Sequence, residues 1–572
     1  MKSAPRHSRS VDQRRGPLLL SALLALGGCA SQPSTTSSAP VRELVAEIAI
    51  ERGEYRVAAS AYREAAATSR DPAVAERAAR VAFENGQPDL LEGIARDWLA
   101  RDPNSEVARR FLGVSLLELD RPQDAQAQFA PLLKSAYPAP AAGLMALQES
   151  LSTQEDSGAI AQMFQGFTHQ YSTLPEAYYA HAAASLQASN SVAALVSITK
   201  ALDLRPDWKE AQWLEARARV AGGDCPRGLA ESSALAAEAS DADRLMHGWL
   251  LTACNRPEQA QPLFEDLARG THFRAEALEA LAALALDAGR YDEANTRYTE
   301  ALATGRSTDA AMNGLALVAD RRGDTPRAVR MYQRVTTGSR AASAQLRAYR
   351  LLLDAGDADG AARSLDRFVV NSPDKVAITA SRAQLLGEVG RAPDGLALLD
   401  RARAVYPAQM ELRFARATVL ERNGQLDPAL KELRALVHER PGDAIAANAL
   451  GYTLADHNQD LAYSEKLIRQ ALDERPDSAA IQDSMGWVLY RRGHSGDALD
   501  WLKRAYARDP DPEVAAHLGE VQWTLGDQPG ALSTWRGALA RAPGNPEVLA
   551  ALARRGASAA PAAGEAPSSQ PP

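Results

Sequence analysis

The sequence near the C-terminal end carries one pattern twice, and this pattern decides the fold. Residues 512–543 read PEVAAHLGEVQWTLGDQPGALSTWRGALARAP, and residues 479–510 read AAIQDSMGWVLYRRGHSGDALDWLKRAYARDP. The key positions of the two stretches are offset by 33 residues. These positions are Gly486 and Gly519, Gly493 and Gly526, Ala498 and Ala531, Leu502 and Trp535, Ala505 and Ala538, and Pro510 and Pro543. A unit that recurs at this spacing indicates a stack of repeats.

Each recurring residue has a physical role in a pair of antiparallel helices. A small residue in the first helix, such as Gly519, lets the second helix approach closely. Gly526 adopts the left-handed backbone conformation that ends the first helix. Ala531 lies at the close crossing, and Trp535, four positions later on the same face, fills the space between neighbouring helices. Because proline cannot continue a helix, Pro543 marks the end of the second one.

Weaker copies of the pattern continue toward the N-terminus. They are marked by Gly424 and Ala429, Gly390 and Leu399, Gly356 and Ala361, Gly323 and Tyr332, Gly289 and Tyr298, Ala194 and Ile198, Gly113 and Phe129, Gly86 and Trp98, and Gly53 and Tyr62. The distance from Gly53 to Gly526 fits about fourteen steps of about 34 residues, so we expect about fifteen units. The stretch 138–175 is interpreted as a distorted unit, and the unit at 444–476 has an extra residue near Asn458–Asp460.

The pattern resembles the tetratricopeptide repeat (TPR), a helix–turn–helix unit of about 34 residues. The predicted fold class is therefore all-α: a TPR superhelical solenoid of about fifteen units. Stacking buries the apolar face of each unit against its neighbours and produces an extended superhelix. The resemblance implies a concave groove lined by first helices, where TPR proteins commonly bind peptides or whole partner proteins.

The composition favours helices and argues against a nucleic-acid-binding protein. The chain has 572 residues, a net charge of -8 and only 6% aromatic residues, with 64 basic and 72 acidic side chains interspersed. A nucleic-acid-binding protein would show a basic stripe instead. Abundant alanine favours closely packed helices, and the β-branched runs that strands need are missing.

Residues 1–28 have the anatomy of an export signal that ends at a lipid-attachment site. A basic head precedes the apolar run 18–26, which is too short to span a bilayer. The small residues before Cys29 resemble a bacterial lipobox, in which the cysteine is acylated and becomes the mature N-terminus. The alternatives are an ordinary secretory signal with an incidental cysteine and, from Arg14–Arg15, a twin-arginine signal.

The lipobox resemblance also implies a location. Ala30, not aspartate, follows the cysteine, and in proteobacterial lipoproteins this favours the outer membrane, here at its periplasmic face. Residues 29–40 are rich in Ser, Thr and Pro and predict a flexible tether. Residues 41–555 form the predicted TPR superhelix, and residues 556–572 predict a disordered tail.

The candidate partner-binding groove lies in the first helices of the C-terminal units. By repeat phase, its residues are Asn448, Tyr452, Asp456, Asp483, Trp487, Tyr490, Arg491, Glu520 and Trp523. Aromatic and arginine side chains dominate the binding energies of protein interfaces. The alternative is that Trp487, Tyr490 and Trp523 pack between adjacent first helices, and composition alone does not separate the two interpretations.

The sequence contains no recognisable catalytic motif. Its histidines fall in different units without HExxH spacing, and no GxSxG or Walker-type loop occurs. We therefore predict a protein that is not an enzyme and that needs neither a cofactor nor a metal ion.

Cys225 and Cys254 occupy equivalent turns of consecutive units. Because stacked repeats bring equivalent turns to one edge, these cysteines predict a disulfide in an oxidising periplasm. Two reduced thiols remain the alternative if the turns lie too far apart for a bridge.

Two stretches resemble a narrower family. Residues 448–454, NALGYTL, and 483–490, DSMGWVLY, resemble the LbcA-type TPR lipoproteins of gammaproteobacteria and their relatives. The known member binds a periplasmic carboxy-terminal processing protease at the outer membrane and assists it in degrading cell-wall hydrolases. The resemblance implies an adaptor that recruits such a protease and could also hold its substrates. The alternative is a structural scaffold in an envelope export or polysaccharide-secretion complex.

Overall fold

The computed structural model describes residues 39–69, 71–135, 139–152, 157–237, 240–306, 308–370, 372, 374–542 and 545–557. The predicted signal peptide, Cys29, most of the predicted tether and the tail from residue 558 onward lie outside the described residues.

Thirty-one α-helices and no β-strand lie in these described ranges. The first ten are α1 Ala39–Glu51, α2 Tyr55–Thr68, α3 Pro72–Glu84, α4 Pro88–Arg101, α5 Glu106–Glu118, α6 Pro122–Ser135, α7 Pro140–Leu151, α8 Ser157–Gln170, α9 Pro175–Gln187 and α10 Ser191–Leu204. The next ten are α11 Lys209–Ala221, α12 Cys225–Ala237, α13 Asp241–Ala253, α14 Pro257–Arg269, α15 Arg274–Asp287, α16 Tyr291–Ala303, α17 Thr308–Arg321, α18 Thr325–Tyr332, α19 Ala341–Asp354 and α20 Ala358–Val369. The last eleven are α21 Lys375–Glu388, α22 Ala392–Val405, α23 Met410–Arg422, α24 Leu426–Glu439, α25 Ala444–Asp456, α26 Leu461–Glu474, α27 Ala479–Arg491, α28 Ser495–Arg508, α29 Pro512–Thr524, α30 Gln528–Arg541 and α31 Pro546–Arg554.

The helices form fifteen successive pairs followed by the single helix α31, which confirms the predicted solenoid of about fifteen units. Odd-numbered helices are the first helices of their units and even-numbered helices are the second. None of these helices combines the length and the apolar character that crossing a membrane requires.

The crossings between first and second helices are as close as the glycines predict. A Cβ atom on Gly486 would lie 2.5 Å from Leu502 Cγ, and one on Gly519 would lie 2.8 Å from Trp535 Cδ1 and closer still to the rest of that ring. Leu502 and Trp535 are completely buried. These glycines are therefore fixed by the packing of the large side chain opposite them.

The turn after each first helix requires one residue in the left-handed conformation. Glycine supplies it in most units, for example Gly526 with φ 91°. Asp120, Ser189, Asn255 and Asn458 take the same conformation, with φ between 53° and 57°, in units whose turn lacks a glycine. Short polar residues tolerate this conformation best after glycine, so the turn is retained where the glycine signal is lost.

The two irregular units keep their place in the stack. The turn between α25 and α26 is one residue longer than the turn between α27 and α28, as predicted, and Asp460 (φ 37°) caps α26 by accepting a hydrogen bond from Tyr463 N. In the stretch 138–175, Leu144 of α7 and Phe164 of α8 share one buried cluster with Phe129 of the preceding unit.

Cys225 begins α12 and Cys254 directly follows α13, so both lie at turns between first and second helices. Their sulfur atoms are joined in a disulfide, and their Cα atoms are 5.8 Å apart. The bond links two consecutive units along one edge of the solenoid.

Units separated by 284 to 323 residues also contact each other, which the repeat pattern does not predict. Lys375 Nζ donates a hydrogen bond of 2.9 Å to Asn85 Oδ1 and lies 4.5 Å from the centre of the Tyr55 ring. Gln409 Nε2 donates to the carbonyl of Gly86 at 3.0 Å. The superhelix therefore completes one turn in roughly eight to ten units, and successive turns touch edge to edge.

Asp477 is the centre of this seam, which we define as the contacts between successive superhelical turns. Its backbone N–H donates to the carbonyl of Ser189 at 3.0 Å, and its carboxylate accepts from the N–H of Ser191. Arg508 forms an ion pair of 3.2 Å with the same carboxylate and also donates to the carbonyl of Ala221. Turns of α9–α12 are thus joined to loops near α26–α28 by polar contacts.

Candidate partner-binding groove

A cavity of about 1190 Å³ opens on the concave face between the first helices α23, α25, α27 and α29 and the single helix α31. We call it the C-terminal groove. Six of the nine residues predicted from the sequence line it: Tyr452, Asp456, Trp487, Tyr490, Arg491 and Glu520.

The other three predicted residues lie outside the lining. Asp483 is buried, with 4% of its surface exposed. Trp523 stacks on Trp535 of α30 with ring centres 5.9 Å apart, so it packs against the second helix of its own unit. Asn448 is half-buried on α25 and does not reach the cavity.

The aromatic wall of the groove combines packing with exposure. Trp487 stacks on the ring of His517 with centres 4.0 Å apart, and its Nε1 donates to Asp456 Oδ1 at 3.1 Å. Only 7% of Trp487 is exposed, so it mainly supports the wall. Tyr490 is half-buried with its hydroxyl 3.1 Å from Thr524 Oγ1, so it is the aromatic side chain best placed to contact a partner.

A buried phenol joins two first helices below this wall. Tyr452 OH donates a hydrogen bond of 2.6 Å to Glu513 Oε1 across one intervening unit. Burial, together with the negative charge of Glu513, raises the pKa of Tyr452 well above its usual value. The phenol therefore stays neutral and acts as a hydrogen-bond donor.

His517 is a buried histidine that contacts a buried carboxylate. Its Nδ1 lies 3.0 Å from both carboxylate oxygens of Asp483. Burial favours the neutral ring, but the carboxylates around it, led by that of Asp483, outweigh burial and raise the pKa of His517. The contact with His517 holds the Asp483 carboxylate inside the wall of the groove.

Helix α31 closes one end of the groove through a buried carboxylate. Glu520 is 4% exposed. It accepts hydrogen bonds from Arg554 Nε at 2.8 Å and from Arg555 Nη2 at 2.7 Å. Arg554 ends α31 and Arg555 directly follows it, so two arginines compensate one buried acid on α29 and fix the position of α31.

The opposite edge of the groove is acidic. Glu421, Asp456 and His457 bring three side-chain atoms of metal-ligand type within 4.8 Å of one another. His457 Nε2 bonds Glu421 Oε1 at 2.9 Å, and Asp456 accepts from Trp487, so these groups already partner protein atoms. Burial raises the pKa of Glu421, and the same cause, helped by Glu513, raises that of Glu547.

Sequence reasoning missed several residues of the lining because they fall outside the repeat signal. They are Glu421, Arg422, His457, Glu513, His517, Glu547, Arg554 and Arg555. One signal was available: Glu520 and Arg554 are 34 residues apart, as are Asp483 and His517. Opposite charges separated by one repeat period face each other on neighbouring first helices.

Comparison with known proteins supports the repeat assignment. Residues 279–345, 380–444, 414–479 and 484–546 match the family model described as tetratricopeptide repeat. The chain is 37% identical over 213 residues to a TPR repeat-containing protein of Pseudomonas aeruginosa. That match covers 37% of this chain and 36% of the relative, so it spans about a third of either protein.

The chain also matches two solved structures over the ranges that follow. A thermophilic TPR protein from Thermus thermophilus is 24% identical, with a TM-score of 0.29, and the match covers 31% of this chain and 97% of that protein. The APC/C hetero-tetramer Cut9–Hcn1 is 14% identical, with a TM-score of 0.30, and the match covers 91% of this chain and 96% of that one. The family-model matches and the chain's own helical pairs show an all-α solenoid that contains tetratricopeptide repeats, a type of repeat that commonly binds protein partners.

Proposed function

We propose that this chain is an adaptor of the cell envelope, anchored through Cys29 to the periplasmic face of the outer membrane. In this proposal it binds a periplasmic carboxy-terminal processing protease, promotes proteolysis of cell-wall hydrolases and could also hold those substrates. The chain itself carries no catalytic role.

The observation that carries the proposal is the position of the family-like stretches. Residues 448–454 and 483–490, which resemble LbcA-type lipoproteins, lie on α25 and α27 and supply the middle of the C-terminal groove. Tyr490 belongs to these stretches and is half-buried in the groove wall, and interface energy concentrates in aromatic side chains at the centre of a contact.

The disulfide supports export. Disulfides persist in the periplasm and outside the cell, whereas the cytosol keeps thiols reduced. The bond between Cys225 and Cys254 is therefore consistent with the export signal predicted for residues 1–28.

Co-purification tests the proposal. The full chain, expressed in its native host with an affinity tag, is purified from detergent-solubilised envelopes, and the partners are identified by mass spectrometry. We expect a processing protease among them. Its absence would overturn the adaptor role, and partners drawn from an outer-membrane pore would favour the export scaffold instead.

A matched pair of variants tests whether the C-terminal groove is the binding surface. Tyr490 lines the groove on α27, whereas Tyr506 is similarly half-buried on α28 but lies outside it. Tyr490→Ala should reduce recovery of the protease, while Tyr506→Ala should leave it unchanged. Equal recovery with both variants would place the contact elsewhere.

A further inference from the structure

A second large cavity lies beneath the seam. It has a volume of about 1170 Å³. Helices α1, α2, α3 and α5 line one side, and α21, α23 and α25 with neighbouring loop residues line the other. The seam residues Asn85, Gly86, Lys375 and Gln409 form part of its lining. This cavity, the seam cavity, exists only because units one superhelical turn apart touch each other.

The seam cavity presents apolar side chains to solvent. Phe83 of α3, Val370 after α20 and Ile445 of α25 all line it, with 38%, 59% and 48% of their surfaces exposed. They come from three distant parts of the chain. Large apolar groups that converge on one cavity favour a ligand that covers apolar surface.

The charges of the lining are balanced. Arg77, Lys375 and Arg440 face Glu84, Asp374 and other acids in the same cavity. A nucleic acid or an anionic lipid surface would need an excess of positive charge. The lining therefore suits a polypeptide with apolar side chains and little net charge.

The cavity also offers groups that can pair with a peptide backbone. Ser381 and Gln384 line it on α21 and carry both hydrogen-bond donors and acceptors. An extended segment has unpaired backbone N–H and C=O groups to offer them, whereas an α-helix has already paired most of its own. These side chains favour an extended segment over a helix.

The seam cavity adjoins the C-terminal groove. Phe414 on α23 lines both cavities, so the two are neighbouring parts of one concave surface. A segment that leaves the groove past Phe414 enters the space beneath the seam.

From these observations we infer that the seam cavity is a second docking surface, which takes an extended, apolar polypeptide segment of the partner bound in the C-terminal groove. The segment lies between two superhelical turns and contacts both. This inference rests on the proposed role as a partner-binding scaffold and adds a second site to it.

The test uses a phage-displayed library of random short peptides selected on the full chain. Enriched peptides are synthesised with a fluorescent label, and their dissociation constants are measured by anisotropy. The variants are Val370→Asp and Ile445→Asp, and the matched control is Val196→Asp, an exposed valine on α10 that lines neither cavity. Circular dichroism checks that each variant remains folded, which we expect because these positions are exposed.

The expected result is enrichment of apolar peptides whose dissociation constant rises about tenfold or more in Val370→Asp and Ile445→Asp, because each buries an unpaired charge under the peptide. Val196→Asp should bind like the wild type. The inference is overturned if no peptide is enriched, or if both cavity variants bind like the wild type.

Loss of peptide binding only in Tyr490→Ala would support the proposed function of the C-terminal groove and rule out the second docking surface. Conversely, loss of peptide binding in the cavity variants, together with no processing protease in the co-purification, would support the seam cavity as a docking surface and contradict the adaptor role.

Discussion

Replacing Gly519 with alanine tests whether close helix crossings hold the solenoid together. A Cβ atom there would lie 2.8 Å from Trp535 Cδ1 and nearer to the ring nitrogen. The ring cannot easily move away, because Trp535 is completely buried and its Nε1 donates to the carbonyl of Ala516 at 3.3 Å. Overpacking of this kind costs about 1–3 kcal/mol.

Gly537 provides the matched control in the partner helix α30. A Cβ atom there would meet only Arg541 Nη1, at 3.8 Å. Both glycines are helix-interior, so alanine contributes about 1 kcal/mol of helix propensity at each. Gly537→Ala should therefore stabilise the unit by about 1 kcal/mol, and Gly519→Ala should be about 1–3 kcal/mol less stable than Gly537→Ala.

The appropriate assay is amide hydrogen exchange of α29 and α30, followed by mass spectrometry. Repeat arrays open unit by unit, so a local measurement reports the affected unit better than a global melt does. Exchange should be slower in Gly537→Ala than in the wild type, and faster in Gly519→Ala than in Gly537→Ala. If Gly519→Ala protects these helices as well as Gly537→Ala does, close packing is not what requires glycine at this position.

Three further substitutions probe the stability of the array. Cys225→Ser opens a loop of 29 residues, and the chain-entropy relation predicts a loss of about 3–4 kcal/mol, measured by melting with and without a reductant. The pKa of His517 is raised in the folded protein. Its protonation therefore contributes stability that is fully present below the pKa of the unfolded chain, about 6.5, and is lost as pH rises through the pKa of the folded protein. Asp483→Asn should flatten this pH dependence of the melting temperature across neutral pH. Glu520→Gln removes the charge that holds α31, at a cost of about 1–3 kcal/mol. This cost is lower than that of breaking a fully buried ion pair, because the side chain of Arg555 is 30% exposed. Amide hydrogen exchange in α31 should increase, and unchanged exchange would contradict the bridging role of Glu520.

The regular features of the fold follow from local sequence rules. Gly519, Ala531 and Trp535 specify a crossing by their sizes, and this information is contained in one unit. The turn at Ser189 was harder to recognise, because a left-handed serine leaves no glycine signal although its φ of 57° matches the other turns.

The seam could not be predicted from the repeat pattern. Its contacts, such as Lys375 with Asn85, depend on the rotation accumulated over more than 280 residues. A small change in the rotation per unit shifts these partners past each other. The total rotation over many units cannot be deduced from the sequence of a single repeat.

The candidate groove was predicted in part. Repeat phase identified Tyr452 and Tyr490, because groove-facing positions recur with the period. It did not identify Arg554 and Glu547, which lie on α31 beyond the last full unit. Asp483 shares the phase of the groove positions, yet its ion pair with His517 keeps it inside the wall.

The central claim is that the C-terminal groove holds a protein partner, and site-specific photo-crosslinking tests it most directly. A benzophenone amino acid replaces Tyr490 in one variant and Tyr506 in the other, and both are irradiated in the native envelope. We predict a covalent adduct with a processing protease at position 490 and none at position 506. No adduct at position 490, or equal adducts at both positions, would contradict the claim.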